Sequence, residues 1–159
     1  MGRTADRKDL NGILVVNKPA GMTSHDVVNI ARKKLRMRRI GHAGTLDPLA
    51  TGVLVLLVGR GTKLSERFTG FDKGYRATMI LGRRTTSADV DGQVIDEQGY
   101  EDVTRDGVCE IFHSFLGESL QTPPMVSAIR INGQRLYDLA RKGITVERKP
   151  REIRIDAID

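Results

Sequence analysis

Apolar positions along this chain fall into short runs and stripes whose period switches repeatedly between strand and helix. Gly12–Val16 (GILVV) is a continuous apolar run closed by Lys18-Pro19-Ala20-Gly21, so a buried strand ending in a turn is predicted. Thr23 and Asp26 have capping-box spacing ahead of a stripe at Val27, Ile30, Ala31 and Leu35, which predicts a helix to about Met37. A glycine-rich turn then leads into the apolar strand Val53–Val58, and a short helix over Thr62–Phe68 follows between Gly61 and Gly70.

The second half repeats the alternation less strongly. Lys73–Gly82 (KGYRATMILG) reads as a strand, Arg83–Gly92 as polar loop and Gln93–Glu97 as a hairpin partner. Thr104 can cap a helix carrying Val108, Ile111, Phe112, Phe115 and Leu116 at helical spacing, stopped by Gly117. After Thr122-Pro123-Pro124 come a strand at Ser127–Ile131 and a helix around Arg135–Lys142, stopped by Gly143. REIRIDAID alternates Ile153 and Ile155 with charges, the pattern of a half-buried strand. Helices and strands without strict βαβ order predict an α+β fold, with a mixed, mainly antiparallel sheet and flanking helices. The chain stops in or directly after a strand, so the fold is expected to be incomplete at its C-terminus.

Composition narrows the class. At 159 residues, the length suits one domain or part of a larger one. No apolar run approaches the ~18 residues that a membrane span needs. The net charge is +6, unevenly placed: Arg32–Arg39 (RKKLRMRR) holds six basic residues and no acid. Arg130–Arg154 holds eight basic residues against three acids, and Asp89–Glu110 holds eight acids against Arg105 alone. Basic blocks set apart by an acidic one suit a polyanionic partner; the plain alternative is a set of solvated faces. The single cysteine, Cys109, excludes an internal disulfide framework and suits a reducing, cytoplasmic setting, where it is read as inert helix packing. Residues 1–11 read as a polar tail without a signal core.

Several motifs fail on spacing. Gly59-Arg60-Gly61-Thr62-Lys63 lacks the order of a phosphate-binding loop, and Asp89 and Asp91 lack the remaining ligands of a calcium loop. Ser24-His25-Asp26 are neighbours at a helix start, where side chains fan apart, so they form no triad. Three scattered histidines support no metal site, and no nucleotide-cofactor motif is present. GHAGTLDPLATGVL, residues 41 to 54, is different, for it sets one carboxylate, Asp47, against a rigid apolar strand. Its glycines clear bulk around that acid, so a large substrate's backbone can come close. A plain turn, with Pro48 fixing the bend, is the other reading.

This stretch resembles the catalytic motif of the TruB family of tRNA pseudouridine synthases. GILVVNKPAGMTSHDVV is similar to that family's N-terminal KP motif, and KGYRATMILG to the segment bearing its tyrosine. QTPPMVSAIRINGQRLYDLARKG, with VERKPREIRI after it, resembles the tRNA-gripping insertion, here about 121–152 of a catalytic domain running over 12–159. The resemblance implies a pseudouridine synthase fold and an enzyme that detaches uracil from C1′ of uridine-55 in the tRNA T loop, turns it and rejoins it through C5. It implies Asp47 as the catalytic residue, which either attacks sugar or base or takes the C2′ proton to give a glycal. Tyr75 would stack on the flipped base and His42 would fill the vacated space. Lys18, Pro19, Gly44 and Thr45 would support the site. Arg130, Arg141, Lys142, Arg148, Lys149 and Arg151 would contact phosphates of the T arm. No cofactor, metal, membrane or obligatory protein partner is implied.

The chain departs from the pattern at Thr86, where an Asp is usual, and at Arg130, where a Lys is usual. The family's next motif, with a Tyr and the Arg that pairs the catalytic Asp, would lie beyond residue 159. The resemblance therefore covers about half of a family protein, and the isolated chain is expected to be weak or inactive. Two alternatives stay open: a non-catalytic RNA-binding fragment or tRNA-folding chaperone, and an RNA-guided relative acting on ribosomal RNA. PLATGVL and PPMVSA look more like the stand-alone bacterial type.

Overall fold

The structure is a computed structural model; it describes residues 10–127, 129–131 and 133–159, with the Arg130 side chain excepted. The expected polar tail thus lies mostly outside the described residues. The chain divides into two compact units, residues 1–75 and 76–159.

In the first unit, β1 (Gly12–Lys18), β2 (Ile40–Ala43) and β3 (Gly52–Val58) form a three-stranded antiparallel sheet in the order β1-β3-β2. The register pairs Lys18 with Gly52 at one end, and both Gly12 and Ile40 with Val58 at the other. Leu54, Leu56 and Val58 alternate onto one face and are buried against α1 (Ser24–Leu35). That helix turns Val27, Val28 and Ala31 inward; Ile30, assigned to its stripe by spacing, is instead exposed. On the opposite face Ile13, Val15 and Val53 are exposed, so the helix layer covers one side of the sheet.

The predicted capping box is formed. The Thr23 hydroxyl accepts from the Asp26 amide (3.1 Å), and the Asp26 carboxylate accepts from the Thr23 amide (2.8 Å) and hydroxyl (2.6 Å). These bonds hold the Asp26 carboxyl below the ordinary aspartate range. Because the folded value is depressed, this stabilisation is complete above the unfolded pKa and is lost as pH falls through the folded one. Asp26→Asn should therefore remove an acid-limb dependence, seen in helical circular dichroism below pH ~4. Thr23→Ala should cost about 1 kcal/mol at neutral pH by urea unfolding.

After β3 the chain forms a 3-10 helix, Gly59–Leu64, and then α2 (Ser65–Thr69), so the expected Thr62–Phe68 helix is split in two. The glycines of the rejected phosphate-loop pattern have a packing reason. A Cβ on Gly59 would stand 2.3 Å from the Leu10 carbonyl oxygen, and one on Gly61 2.3 Å from that of Gly12.

The second unit is built of separate antiparallel pairs rather than one mixed sheet. β4 (Arg83–Thr85) pairs with β5 (Val94–Glu97), placing a strand within the expected polar loop. Exposed cross-strand ion pairs Arg83–Glu97 (2.9 Å) and Arg84–Asp96 (3.9 Å) follow that register. The Asp89 carboxylate is occupied locally, accepting from the Ser87 hydroxyl and from the amides of Asp91 and Gly92. α3 (Arg105–Ser114) has its predicted Thr104 cap, but Ile111, Phe115 and Leu116 are exposed, and so is Cys109, read from sequence as packed. Gly117 opens β6 (Gly117–Gln121), which pairs with β9 (Arg151–Ile155). Between them lie β7 (Arg130–Ile131), its partner β8 (Gln134–Arg135) and α4 (Leu136–Arg141), in place of a strand over Ser127–Ile131.

The largest departure is Lys73–Gly82. Residues 72–80 form no strand, and Met79 and Ile80 are exposed. A strand exists only through a ladder, and this segment has no paired neighbour among the described residues. No described helix is long and apolar enough to cross a membrane.

Candidate active site

Three segments of the first unit meet around the turn at residues 44–50: the end of β1 with its Pro19–Met22 turn, the first turn of α1, and the loop joining β2 to β3. Lys18 is fully buried, and its ammonium donates to the carbonyls of Pro19 (3.0 Å), Met22 (2.7 Å) and Pro48 (3.2 Å). Three donors meet three acceptors, so the charge is buried with its hydrogen-bonding capacity filled. The Gly21 amide donates to the same Pro48 carbonyl (2.8 Å).

On the other side of Asp47, buried Ser24 clamps Leu46. Its hydroxyl donates to the Leu46 carbonyl (3.2 Å) and accepts from the Leu46 amide (2.9 Å). Within the loop, the Ala50 amide donates to the Asp47 carbonyl (3.1 Å). The backbone is thus fixed at both neighbours of Asp47, while its carboxylate is exposed and makes no hydrogen bond among the described residues. Such an arrangement presents a carboxylate from a rigid support.

His42, on β2, is half-buried, and its Nδ1 bonds the Gly44 carbonyl. A carbonyl only accepts, so Nδ1 is the donor in this bond. Gly44 turns the chain at φ 102°; Thr45, which follows it, and Pro19, which follows β1, are exposed. Tyr75 closes the first unit, 74% exposed, with no ring contact or hydrogen bond to the Asp47 loop among the described residues. Hydrogen bonds and chain adjacency thus tie Lys18, Pro19, His42, Gly44 and Thr45 to the loop of Asp47, and none among the described residues ties Tyr75 to it.

Ser24, which belongs to no triad in the sequence reading, has a structural part instead. The signal was available: Ser24 falls three and four residues before Val27 and Val28, on the inward stripe of α1. Ser24→Ala should leave two backbone groups of Leu46 without partners and destabilise the loop by about 1–2 kcal/mol. Amide exchange at Leu46 should rise well before the amides of β3 respond.

In the second unit the six basic candidates divide. Arg148 donates to the Pro123 carbonyl (3.0 Å) and Arg151 to the Gln121 side chain (3.0 Å). Both tie together the two ends of the segment 121–152, where Gln121 also pairs with Arg151 across β6 and β9. Arg141, Lys142 and Lys149 are exposed. Arg141 stacks on the Tyr137 ring at 5.6 Å, as does Arg135, which also bonds the Tyr137 hydroxyl. Of Arg130 the structure describes only the backbone, in β7. A cleft of about 400 Å³ beside α4 is lined by Met125, Val126, Tyr137, Arg141 and Thr86, the position that departs from the TruB pattern.

Comparison with a solved structure, that of a Cbf5-Nop10-Gar1 complex, gives a TM-score of 0.51 at 26% identity, covering 75% of this chain and 31% of that one. The likeness agrees with the α+β pseudouridine synthase fold. The family model described as TruB family pseudouridylate synthase (N terminal domain) matches residues 32–159. The tRNA pseudouridine synthase B of Opitutus terrae is 48% identical over 153 residues, which is 96% of this chain and 64% of that protein. That of Heliobacterium mobile is 51% identical, over 96% of this chain and 50% of that protein. The chain belongs to the TruB family of pseudouridylate synthases. It spans about half to two-thirds of the length of these curated relatives.

Proposed function

We propose that the protein to which this chain belongs is a tRNA pseudouridine synthase acting on uridine-55 of the T arm, with Asp47 as its catalytic residue. The observation that carries the reading is the double clamp on the Asp47 loop: Ser24 holds Leu46, and Lys18 with the Gly21 amide holds Pro48. The reaction is an isomerisation. The N1–C1′ bond breaks, the C5–C1′ bond forms, and the C5 proton is replaced by one on N1, so nothing is consumed and no cofactor is called for. Asp47 serves it either as nucleophile or as base toward C2′. Both roles need a carboxylate fixed in direction yet reachable by an extruded nucleotide, which a side chain exposed on a clamped backbone supplies. Tyr75 is assigned to the flipped base and His42 to the space it leaves. Exposed Arg141, Lys142 and Lys149 are assigned to T-arm phosphates, with Arg148 and Arg151 beside them.

The open exposure of Asp47 favours weak turnover by the 159-residue chain alone, because water competes for the carboxylate. Tritium release from C5-labelled uridine in bare tRNA transcript tests the function. It should be low for the chain alone and restored when the chain is fused to the part of the Heliobacterium relative beyond the aligned region. Failure of the fusion to release tritium would leave the non-catalytic RNA-binding reading in its place.

A further inference from the structure

The chain's positive charge is not confined to the 121–152 segment, which holds seven Lys and Arg against three Asp and Glu. Residues 10–75 hold 11 Lys and Arg against 4 Asp and Glu, a balance of +7; residues 76–159 hold 12 against 14, a balance of −2. Within the first unit the cations gather at one end. Asp47 and its clamps lie where Lys18 pairs with Gly52. The opposite end, where Ile40 and Gly12 pair with Val58, is six residue steps along β3, or ~20 Å away. α1 spans the same distance, starting with Ser24 at the Asp47 loop and finishing with its C-cap Arg36 at the far end.

Two separate stretches deliver cations there. The close of α1 and the link to β2 carry exposed Lys33, Lys34, Arg36 and Arg38. The 3-10 helix after β3 carries Arg60 and Lys63, three residues apart and therefore on one face of that helix. The stretches are joined: the Gly59 amide donates to the Arg39 carbonyl (2.8 Å) and Arg39 Nε to the Thr62 hydroxyl (3.0 Å). None of the six exposed side chains has an ion pair or hydrogen bond among the described residues. In the basic run only Arg39, to Thr62, and Arg32, to the Ile40 carbonyl (2.8 Å) and the Asn29 side chain (3.3 Å), are committed among the described residues. Like charges gathered from two elements repel one another, and the helix C-terminus accounts for a cation or two rather than six.

We propose that this end of the sheet is a second RNA-binding surface, engaging backbone phosphates about 20 Å from the Asp47 loop and independently of the insertion. It deepens the reading of an RNA substrate and rests on it for the choice of polyanion. A lipid surface fits less well. Val27, Val28 and Ala31 of α1 are spent against the sheet and Ile30 alone of its apolar residues is exposed, too narrow a face to enter a bilayer beside the cations.

The test is binding of a tRNA transcript by the full chain, followed by fluorescence anisotropy from 50 to 300 mM KCl. In the variant K34Q/R36Q/R38Q/R60Q, the slope of log affinity against log salt should fall by about 3 and Kd at 100 mM KCl should rise at least about tenfold. A second variant, R141Q/K142Q/K149Q, should lower the slope separately, and the two losses should add. In the unaltered protein, tRNA should shield Lys33, Lys34 and Lys63 from an amine-acylating reagent, a readout that no folding defect can mimic. An unchanged slope with unshielded lysines overturns the proposal and makes the cluster a solvated face. Loss of binding to phosphatidylserine vesicles, with tRNA binding intact, overturns it in favour of a membrane. Tritium release is not read here: RNA binding without pseudouridine formation would sink the enzymatic reading and leave this surface standing.

Discussion

Asp47→Asn should leave a folded protein, still able to bind tRNA, with pseudouridine formation reduced at least about 10³-fold in the fusion that restores turnover. The size follows from the part proposed for the carboxylate: losing a positioned proton-transfer group costs about 10²–10⁴, and losing a covalent nucleophile costs more. The folding half of the prediction follows from geometry. The loop is held through the backbones of Leu46 and Pro48, whereas the Asp47 side chain is exposed and bonds nothing among the described residues. Its replacement should therefore shift stability by no more than about 0.5 kcal/mol. Tritium release measures the first effect and urea unfolding the second. An asparagine variant that unfolds, or one that retains activity, would remove Asp47 from the role assigned to it.

Lys18→Met should have the opposite signature, a large loss of stability that brings the site down with it. The methionine matches the length of the lysine stem but leaves the carbonyls of Pro19, Met22 and Pro48 without their common donor. Pro48 retains the Gly21 amide, so two carbonyls lose the ammonium outright and one is left half served. Breaking a buried charged network in this way costs about 3–5 kcal/mol, a large share of the stability of a small domain. The denaturation midpoint should fall with no change in slope. Activity of the restored protein should vanish above the lowered melting temperature and partly survive below it. An Asp47 variant shows no such temperature dependence, which separates a support residue from a reacting one. A midpoint unchanged within error would mean that the three carbonyls are served by water and that Lys18 holds nothing together.

Both results depend on contacts between distant parts of the chain, and there the legibility of the sequence divides. The capping box of Thr23 and Asp26, the KPAG turn, the helix capped by Thr104 and the apolar strand before Gly59 could be read because each is encoded within a few residues. A side-chain oxygen meets an amide three positions on, or a run of apolar residues buries itself whatever its neighbours are. β2 could not be read, because Ile40–Ala43 carries a glycine and a histidine and becomes a strand only by pairing with β3. Lys73–Gly82 is the converse case: its pattern suits a strand, yet a ladder needs a partner, which periodicity does not report. Ile30 and Val28 exchanged places on α1 because a stripe is wider than any one template, and the sheet decides which edge it covers.

By itself, the sequence determined the family likeness, the candidate acid, the main helices, the apolar strands and the total charge. Only the tertiary structure decided that Lys18 and Ser24 grip the two neighbours of Asp47. It alone decided that Arg148 and Arg151 tie together the ends of the segment 121–152 and that the basic run of α1 joins Arg60 and Lys63 at the far end of the sheet. The reason is physical. Propensity, capping and hydrophobic period act over a few residues and leave a mark in the order of the chain. A hydrogen bond across 22 or 30 residues, or a surface assembled from two elements, is fixed by where the fold brings the backbone, and its residues look ordinary until then.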